Sequence, residues 1–198
     1  MELQKINVKL FTGKPDLVPL TEFIDVFHRW IQASDGIYHD VADYSHMEAG
    51  PGIILVAGDA NVSVDETGNR RGLLYNQKAL LAGSNQDRLR MTLRRALEYA
   101  LRLEEEPGLA GRLEFLGGEL SICINDRLLA PNADASFDDS KEEFATLARD
   151  LYGDDFTLAR AADPRLRLTV HIRAARPSRL GELLVRLCDH ESGLLTTR

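Results

Sequence analysis

The sequence predicts an α+β fold, with a mostly antiparallel sheet built from hairpins and about four amphipathic helices that cover it. Three pairs of neighbouring segments alternate apolar and polar residues on either side of a short turn, which is typical of hairpins. Four longer segments repeat apolar residues every three or four positions, which is typical of helices that bury one face. Strands and helices do not alternate regularly, and no glycine-rich phosphate loop follows the first strand, so a doubly wound nucleotide-binding fold is disfavoured.

Length and composition are typical of one soluble globular domain, which we expect to span residues 1–198. Apolar residues make up 44% of the chain and charged residues 28%, and these proportions disfavour disorder. The formal net charge of -7 disfavours non-specific nucleic-acid binding, which requires neutralisation of phosphates. The longest apolar run, residues 53–57, is too short to span a membrane, and the first residues lack the apolar core of a signal peptide. We therefore expect a cytoplasmic protein that binds no nucleic acid and has no membrane span.

The first third of the chain predicts a strand, a helix and two further strands. Residues 6–11 read as the first strand, and residues 21–32 repeat apolar and aromatic residues with helical spacing. Residues 37–44 are a candidate strand, although apolar and polar residues alternate poorly along them. The short apolar run at 53–56 is typical of a central strand that is buried on both faces.

The best-supported hairpin joins two short alternating segments through a turn at residues 67–70. This turn places Val64 opposite Leu73, and it places Val62 opposite Tyr75. The same register sets an acidic residue at position 66 opposite a basic one at position 71, which is a favourable cross-strand pair. Pattern, turn and charge therefore agree on one register.

The longest periodic segment, residues 84–106, predicts a long amphipathic helix. Ser84 is the expected N-cap, with Asp87 three residues later in a near match to a capping box. Pro107 and Gly108 are expected to end the helix.

The last part of the chain predicts two more hairpins and two more helices. Gly117 and Gly118 are expected to form the turn of one hairpin, with Phe115 opposite Leu120. The small, acidic stretch at 133–139 is expected to be a mobile loop. A helix at 140–152, a hairpin that returns through positions 166, 168, 170 and 172, and a last helix that opens at Pro177 and ends at Gly193 complete the chain.

The first candidate site is a cluster of metal-ligating residue types in one short stretch: His39, Asp40, Asp43 and His46. Two imidazoles and two carboxylates suit zinc, manganese or iron. In a strand His39 and Asp43 share a face, and His46 would fold back from the following loop. A bound metal would lower the pKa of a water molecule, and a carboxylate would take its proton. The alternative is a polar loop in which a buried histidine is hydrogen-bonded to an aspartate.

The second candidate site is a row of basic side chains: Arg165, Arg167, His171 and Arg173. Alternation along the last predicted strand places them on its outward face. Guanidinium groups offer paired donors to phosphate and carboxylate, so the row would bind a small anion or an acidic partner. The alternative is a solvated sheet face, because antiparallel sheets commonly leave one face in water.

The sequence contains no motif for a catalytic nucleophile and identifies no cofactor. Neither Cys123 nor Cys188 lies in a metal or disulfide motif. The leading hypothesis is therefore a non-catalytic cytoplasmic accessory or assembly component that binds another protein or a second copy of itself. The aromatic first helix together with Leu194 and Leu195 could offer its interface, although helix aromatics at this spacing more often belong to a core. The two alternatives are a metal-dependent enzyme that uses the first site and a small-anion-binding protein that uses the second.

Overall fold

The computed structural model describes residues 1–14 and 17–195, with side chains described as far as residue 189. Within these ranges the chain forms eight strands and four helices, with a short 3-10 turn at Thr67–Asn69. The strands are β1 (Ile6–Thr12), β2 (Tyr38–Tyr44), β3 (Gly52–Ala57), β4 (Ala60–Asp65), β5 (Gly72–Gln77), β6 (Phe115–Ile124), β7 (Phe156–Arg160) and β8 (Leu168–Ala174). The helices are α1 (Glu22–Ala33), α2 (Asn85–Glu104), α3 (Asp134–Tyr152) and α4 (Leu180–Leu195).

All eight strands belong to one antiparallel sheet, in the order β2-β3-β4-β5-β1-β6-β8-β7. Strands β2 to β5 form a meander on one side, and β7 and β8 form a hairpin at the other end. Strand β1 lies between β5 and β6, and all seven of its residues are buried. The predicted α+β class with a mostly antiparallel sheet is confirmed.

The four helices pack against the sheet and against one another. Helix α2 lies over β1 and β5 and contacts α3 and α4, while α1 lies over β2 and β3. Apolar residues of helices and strands form a shared core, which includes Phe23, Leu93, Leu120, Phe144 and Val170. In the part of the chain that the structure describes, no helix is long and apolar enough to cross a membrane.

Helix α2 confirms the long helix that the apolar period predicts. Ser84 Oγ accepts a hydrogen bond from the backbone N–H of Asp87 at 3.2 Å, and the Asp87 carboxylate accepts one from the backbone N–H of Ser84 at 2.8 Å. This capping box satisfies two of the donors that a helix N-terminus leaves unpaired. Leu89, Leu93 and Leu97 are buried on the sheet side, as their spacing predicts.

The hairpin between β4 and β5 has the predicted register. Val64 pairs with Leu73 and Val62 pairs with Tyr75. At the turn, Arg71 and Glu66 form an ion pair of 2.5 Å. Local turn chemistry and alternation are sufficient to predict this register, because the residues that pair between the two strands are close in sequence.

The hairpin predicted at Gly117 and Gly118 is wrong, because both glycines lie inside the continuous strand β6. Their function is close packing against the segment before α4. A Cβ atom at Gly117 would lie 1.8 Å from the carbonyl oxygen of Ser178, and one at Gly118 would lie 3.1 Å from Cα of Pro177. The register between β1 and β6 shifts across these glycines, which is typical of a bulge.

Two predicted boundaries in the C-terminal third are also wrong. Residues 133–139 form no mobile loop, since α3 begins at Asp134 and runs through them. An acidic residue in the first turn favours this start, because the helix dipole is positive at the N-terminus. The last helix does not end at Gly193 but continues to the limit of the described residues.

The aromatic first helix does not offer its rings to a partner. Phe23, Phe27 and Trp30 are buried in the core of the fold, and the Trp30 ring is stacked under the Arg102 guanidinium at 3.8 Å. The side chains of Leu194 and Leu195, the other part of the predicted interface, lie outside the described residues.

Candidate ligand site on the helix-free sheet face

The sheet face opposite the helices carries the polar half of the alternating strand pattern. Along β1, Val8 and Leu10 belong to the core, whereas Asn7 and Lys9 line a cavity on the other face. The cavity has a volume of about 510 Å³ and is lined by strand and loop residues, with none from α1 to α4. We call it the sheet-face cavity, and its polar lining includes Asn7, Lys9, Asn61, Asn76, Ser121 and His171.

A buried ion pair between Lys9 and Asp65 lies in the wall of the sheet-face cavity. Only 9% of Lys9 and 2% of Asp65 is exposed, and the Lys9 ammonium donates to the Asp65 carboxylate and to the Thr67 carbonyl oxygen. The same carboxylate accepts from the Thr67 N–H at 3.1 Å and its hydroxyl at 2.7 Å. Burial lowers the pKa of Lys9, and the charge of Asp65 opposes that effect. The pair therefore joins β1 to the turn after β4.

Three asparagines lie side by side across β4, β5 and β1. Asn61 pairs with Asn76, and Asn76 pairs with Asn7, so we call Asn61, Asn76 and Asn7 the asparagine row. The side-chain oxygens of Asn7 and Asn61 are buried and have no hydrogen-bond partner within the described residues. An unpaired buried acceptor costs about 1–3 kcal/mol. The asparagine row thus holds two buried acceptors without partners, on two residues that line the sheet-face cavity.

Ser121 and His171 form a hydrogen-bonded pair across β6 and β8. Ser121 Oγ and His171 Nδ1 are 2.7 Å apart, and the two residues are direct cross-strand neighbours. Burial lowers the pKa of His171, which favours the neutral imidazole. The pair presents a polar, uncharged surface beside Lys9, which is the neighbour of Ser121 on β1.

The structure separates the four predicted basic residues. Arg167 and His171 line the sheet-face cavity. Arg173, next along β8, donates to Glu119 at 3.0 Å. Arg165 lies outside the cavity lining, and its guanidinium pairs with Asp163 at 2.8 Å.

Arg167 directly precedes β8, and its side chain contacts the residue that follows β6. Its Nη1 donates to the side-chain oxygen of Asn125 at 2.9 Å, and Asn125 directly follows β6. Burial raises the pKa of the Cys123 thiol, and the nearby positive charge of Arg167 opposes that rise. Arg167, Cys123 and its cross-strand neighbour Asn7 all line the sheet-face cavity, so Arg167 and the asparagine row border the same space.

Positive charge exceeds negative charge around the sheet-face cavity. Glu119 accepts from Arg70 at 2.6 and 3.0 Å as well as from Arg173, and these bonds lower its pKa, the one with Arg70 most. Lys9 has Asp65 as its partner, whereas Arg167 forms no ion pair with any described residue. Four cations (Lys9, Arg70, Arg167 and Arg173) thus share two carboxylates (Asp65 and Glu119), in a chain whose net charge is -7.

The predicted metal-ligating residues lie on β2, which is one of the two edge strands of the sheet, and on the turn after it. His39, Asp40, Asp43 and His46 are all exposed. The Asp43 carboxylate accepts from the Ser45 N–H at 2.8 Å, and its hydrogen bonds to Ser45 lower the pKa of Asp43. Among the side chains that the structure describes, in residues 1–14 and 17–189, no three from His, Cys, Asp or Glu form a group that could hold a metal ion. Metal binding by this stretch stays a prediction.

Sequence reasoning missed the asparagine row and the Lys9–Asp65 pair. Both have a signal in the alternating pattern, because polar residues at positions 7 and 9 interrupt the first predicted strand and those at 61, 63 and 65 interrupt another. The pattern identifies the helix-free face of each strand. It does not indicate that β1 lies between β5 and β6, which is what brings these side chains together.

Comparison with known proteins identifies no family. The chain matches no protein-family model and no curated protein. A functional proposal therefore depends on the geometry of the sheet-face cavity.

Proposed function

We propose that this chain is a non-catalytic binding protein that takes up a small organic anion in the sheet-face cavity. The observation that carries the proposal is the position of Arg167, a cation without a carboxylate partner among the described residues, at a cavity with a polar lining. One Nη1 hydrogen of Arg167 is directed to the neutral side chain of Asn125. The remaining guanidinium donors are available to a phosphate or carboxylate, which guanidinium binds through paired hydrogen bonds.

The size and composition of the cavity support a small ligand. Its volume of about 510 Å³ falls within the range of small-molecule sites, which is roughly 300–1,000 Å³. Such sites combine apolar surface with a few placed polar groups, and here Phe11, Ile54 and Leu74 supply the apolar part. Two excess positive charges attract an anion to this face of an otherwise acidic protein.

Isothermal titration calorimetry with inorganic phosphate and with succinate tests the proposal. We expect at least one of them to bind, with an affinity that falls as salt rises. We expect Arg167→Gln to weaken that binding at least tenfold. Arg165→Gln is the matched control, because Arg165 pairs with Asp163 away from the cavity, and we expect it to change the affinity less than twofold. Absence of binding by either anion, or equal losses in the two variants, would contradict the proposal.

Binding to a second copy of the chain is a second candidate function, favoured by exposed leucines near one end of the sheet. Leu128 is 95% exposed, Leu129 is 65% exposed, and Leu166 is 51% exposed. A backbone bridge between Pro131 and Arg167 joins the two loops that carry them. Exposed apolar clusters often mark interfaces.

Sedimentation velocity of the wild type and of a Leu128→Ser, Leu129→Ser double variant tests this candidate. A dimer that the double variant lacks supports it, and a wild-type monomer at every concentration contradicts it.

A further inference from the structure

We infer that the anion taken up in the sheet-face cavity also carries N–H donors of the amide, urea or aminopurine type, and that these donors pair with Asn7 and Asn61. This inference rests on the proposed function, because it concerns the other end of the same ligand. Its basis is the asparagine row, which holds two buried side-chain oxygens without partners in the described part of the chain.

Asn7 shows the mismatch between burial and bonding most clearly. Only 4% of the residue is exposed, and its side-chain oxygen is buried without a donor. Its cross-strand neighbours are Asn76 on one side and Cys123 on the other, and neither donates to this oxygen. Buried side-chain acceptors in folded proteins nearly always have a partner, so an unpaired one at a cavity calls for a donor from outside the chain.

Asn61 repeats the arrangement two strands away. Its side-chain oxygen is also buried and unpaired, and Asn76 stands between it and Asn7 in the same row. Neighbouring strands lie about 4.8 Å apart, so the two acceptors belong to backbones about 10 Å apart. This separation suits a planar group with donors on more than one edge. It suits an inorganic anion poorly, because carbonyl-type oxygens repel negative charge.

Arg167 and the asparagine row together define a ligand with two chemically different ends. Arg167, Cys123 and Asn7 all line the sheet-face cavity, and Cys123 is the cross-strand neighbour of Asn7. An anionic group held by Arg167 therefore leaves the rest of the ligand over the row. A site that offers unpaired acceptors discriminates strongly against an analogue that lacks the matching donor.

Two matched pairs of probes test the inference, one pair for each kind of anion. The carboxylate pair is 3-ureidopropionate and 5-oxohexanoate, which have the same length and charge but differ in N–H groups. The phosphate pair is adenosine 5′-monophosphate and purine riboside 5′-monophosphate, which differ in one amino group. We expect the member with the extra N–H donors to bind at least tenfold more tightly in at least one pair, as measured by calorimetry on the full chain. The pair that shows the preference identifies the anion as a carboxylate or a phosphate.

Two variants assign the preference to the asparagine row. Asn7→Leu keeps the approximate volume of the side chain and removes the amide. We expect it to reduce the tenfold preference between the two members of the pair to less than twofold. If Asn7→Leu does not fold, Asn61→Leu provides the same test at a less buried position.

The outcomes separate the two proposals. Equal binding of both members in both pairs would overturn the N–H inference and leave the anion site intact. A preference that both asparagine variants retain would overturn the assignment to the row. If none of the four probes binds and neither phosphate nor succinate does, the proposed function fails together with the inference.

Discussion

Replacement of Asp65 by leucine should destabilise the fold more than any exposed ion-pair change, because it leaves Lys9 without its carboxylate. The pair is almost fully buried, with 9% of Lys9 and 2% of Asp65 exposed. Removal of one partner of a buried pair typically costs about 3–5 kcal/mol. Asp65→Leu also loses two hydrogen bonds from Thr67, each worth about 0.5–1.5 kcal/mol. We therefore expect Asp65→Leu to lower the free energy of unfolding by about 5 kcal/mol, the upper end of the range for a broken buried pair.

The double variant Lys9→Met, Asp65→Leu should recover most of the loss. Without either charge no buried ion is left unpaired, and replacement of a buried pair by apolar residues is often neutral. The bonds from Thr67 stay lost, so we expect a net cost of about 1–3 kcal/mol for the double variant. The coupling energy between positions 9 and 65 should then reach several kcal/mol.

Urea unfolding, followed through the fluorescence of the single tryptophan, measures these differences. Trp30 is 2% exposed, so its emission should change when the core opens. The matched control is the surface pair of Lys5 and Asp126, whose ammonium and carboxylate are 3.2 Å apart and whose lysine side chain is 46% exposed. A surface pair should give a coupling energy of about 0.2–1 kcal/mol.

The reasoning would be refuted by a coupling energy at positions 9 and 65 no larger than that of the surface pair. It would also be refuted if the double variant were less stable than Asp65→Leu alone. Either result would mean that burial does not strengthen the coupling between Lys9 and Asp65.

Three further predictions concern the fold. Gly117→Ala should lower the free energy of unfolding by about 1–3 kcal/mol, because its Cβ would lie 1.8 Å from the Ser178 carbonyl oxygen. Gly181→Ala should raise the free energy of unfolding by about 0.5–1 kcal/mol, because a Cβ there has nothing within 4 Å. Urea unfolding that ranked the two variants the other way would contradict this. Ser84→Ala should lower stability by about 1 kcal/mol through loss of the capping box, and an unchanged melting temperature would argue against it. The lowered pKa of Glu119 stabilises the fold above the ordinary value of 4.5, and this contribution is lost as pH falls through the folded pKa. Glu119→Gln should therefore flatten the acid limb of the stability curve, and a variant with an unchanged slope would contradict the sign.

The parts of the fold that the sequence predicts well are those in which the deciding contacts are local. The capping box at Ser84 and the turn after β4 each lie within a few residues, so pattern and turn chemistry determine them. The turn predicted at Gly117 and Gly118 is wrong because a glycine pair is typical both of a tight turn and of a close approach by another segment. The segment that makes the approach, around Ser178, is far away in sequence.

The candidate site was predictable only in part, for the same reason. Alternation correctly placed Arg167 and His171 on one face of a strand. It could not identify Glu119, the cross-strand partner of Arg173, because that pairing depends on the position of β6 beside β8. The predicted hairpin already sets Asn61 opposite Asn76, but Asn7 completes the asparagine row only because β1 lies beside β5, which the sequence does not indicate.

The most direct test of the sheet-face cavity as an anion site is an NMR titration of the uniformly ¹⁵N-labelled chain with inorganic phosphate and with succinate. The proposal predicts saturable amide shifts at Asn7, Cys123 and Thr169 and at the neighbouring residues of β1, β6 and β8, with none of similar size on the exposed faces of α2 and α3. Saturable shifts centred on the helices, or no shifts with either anion, would contradict it.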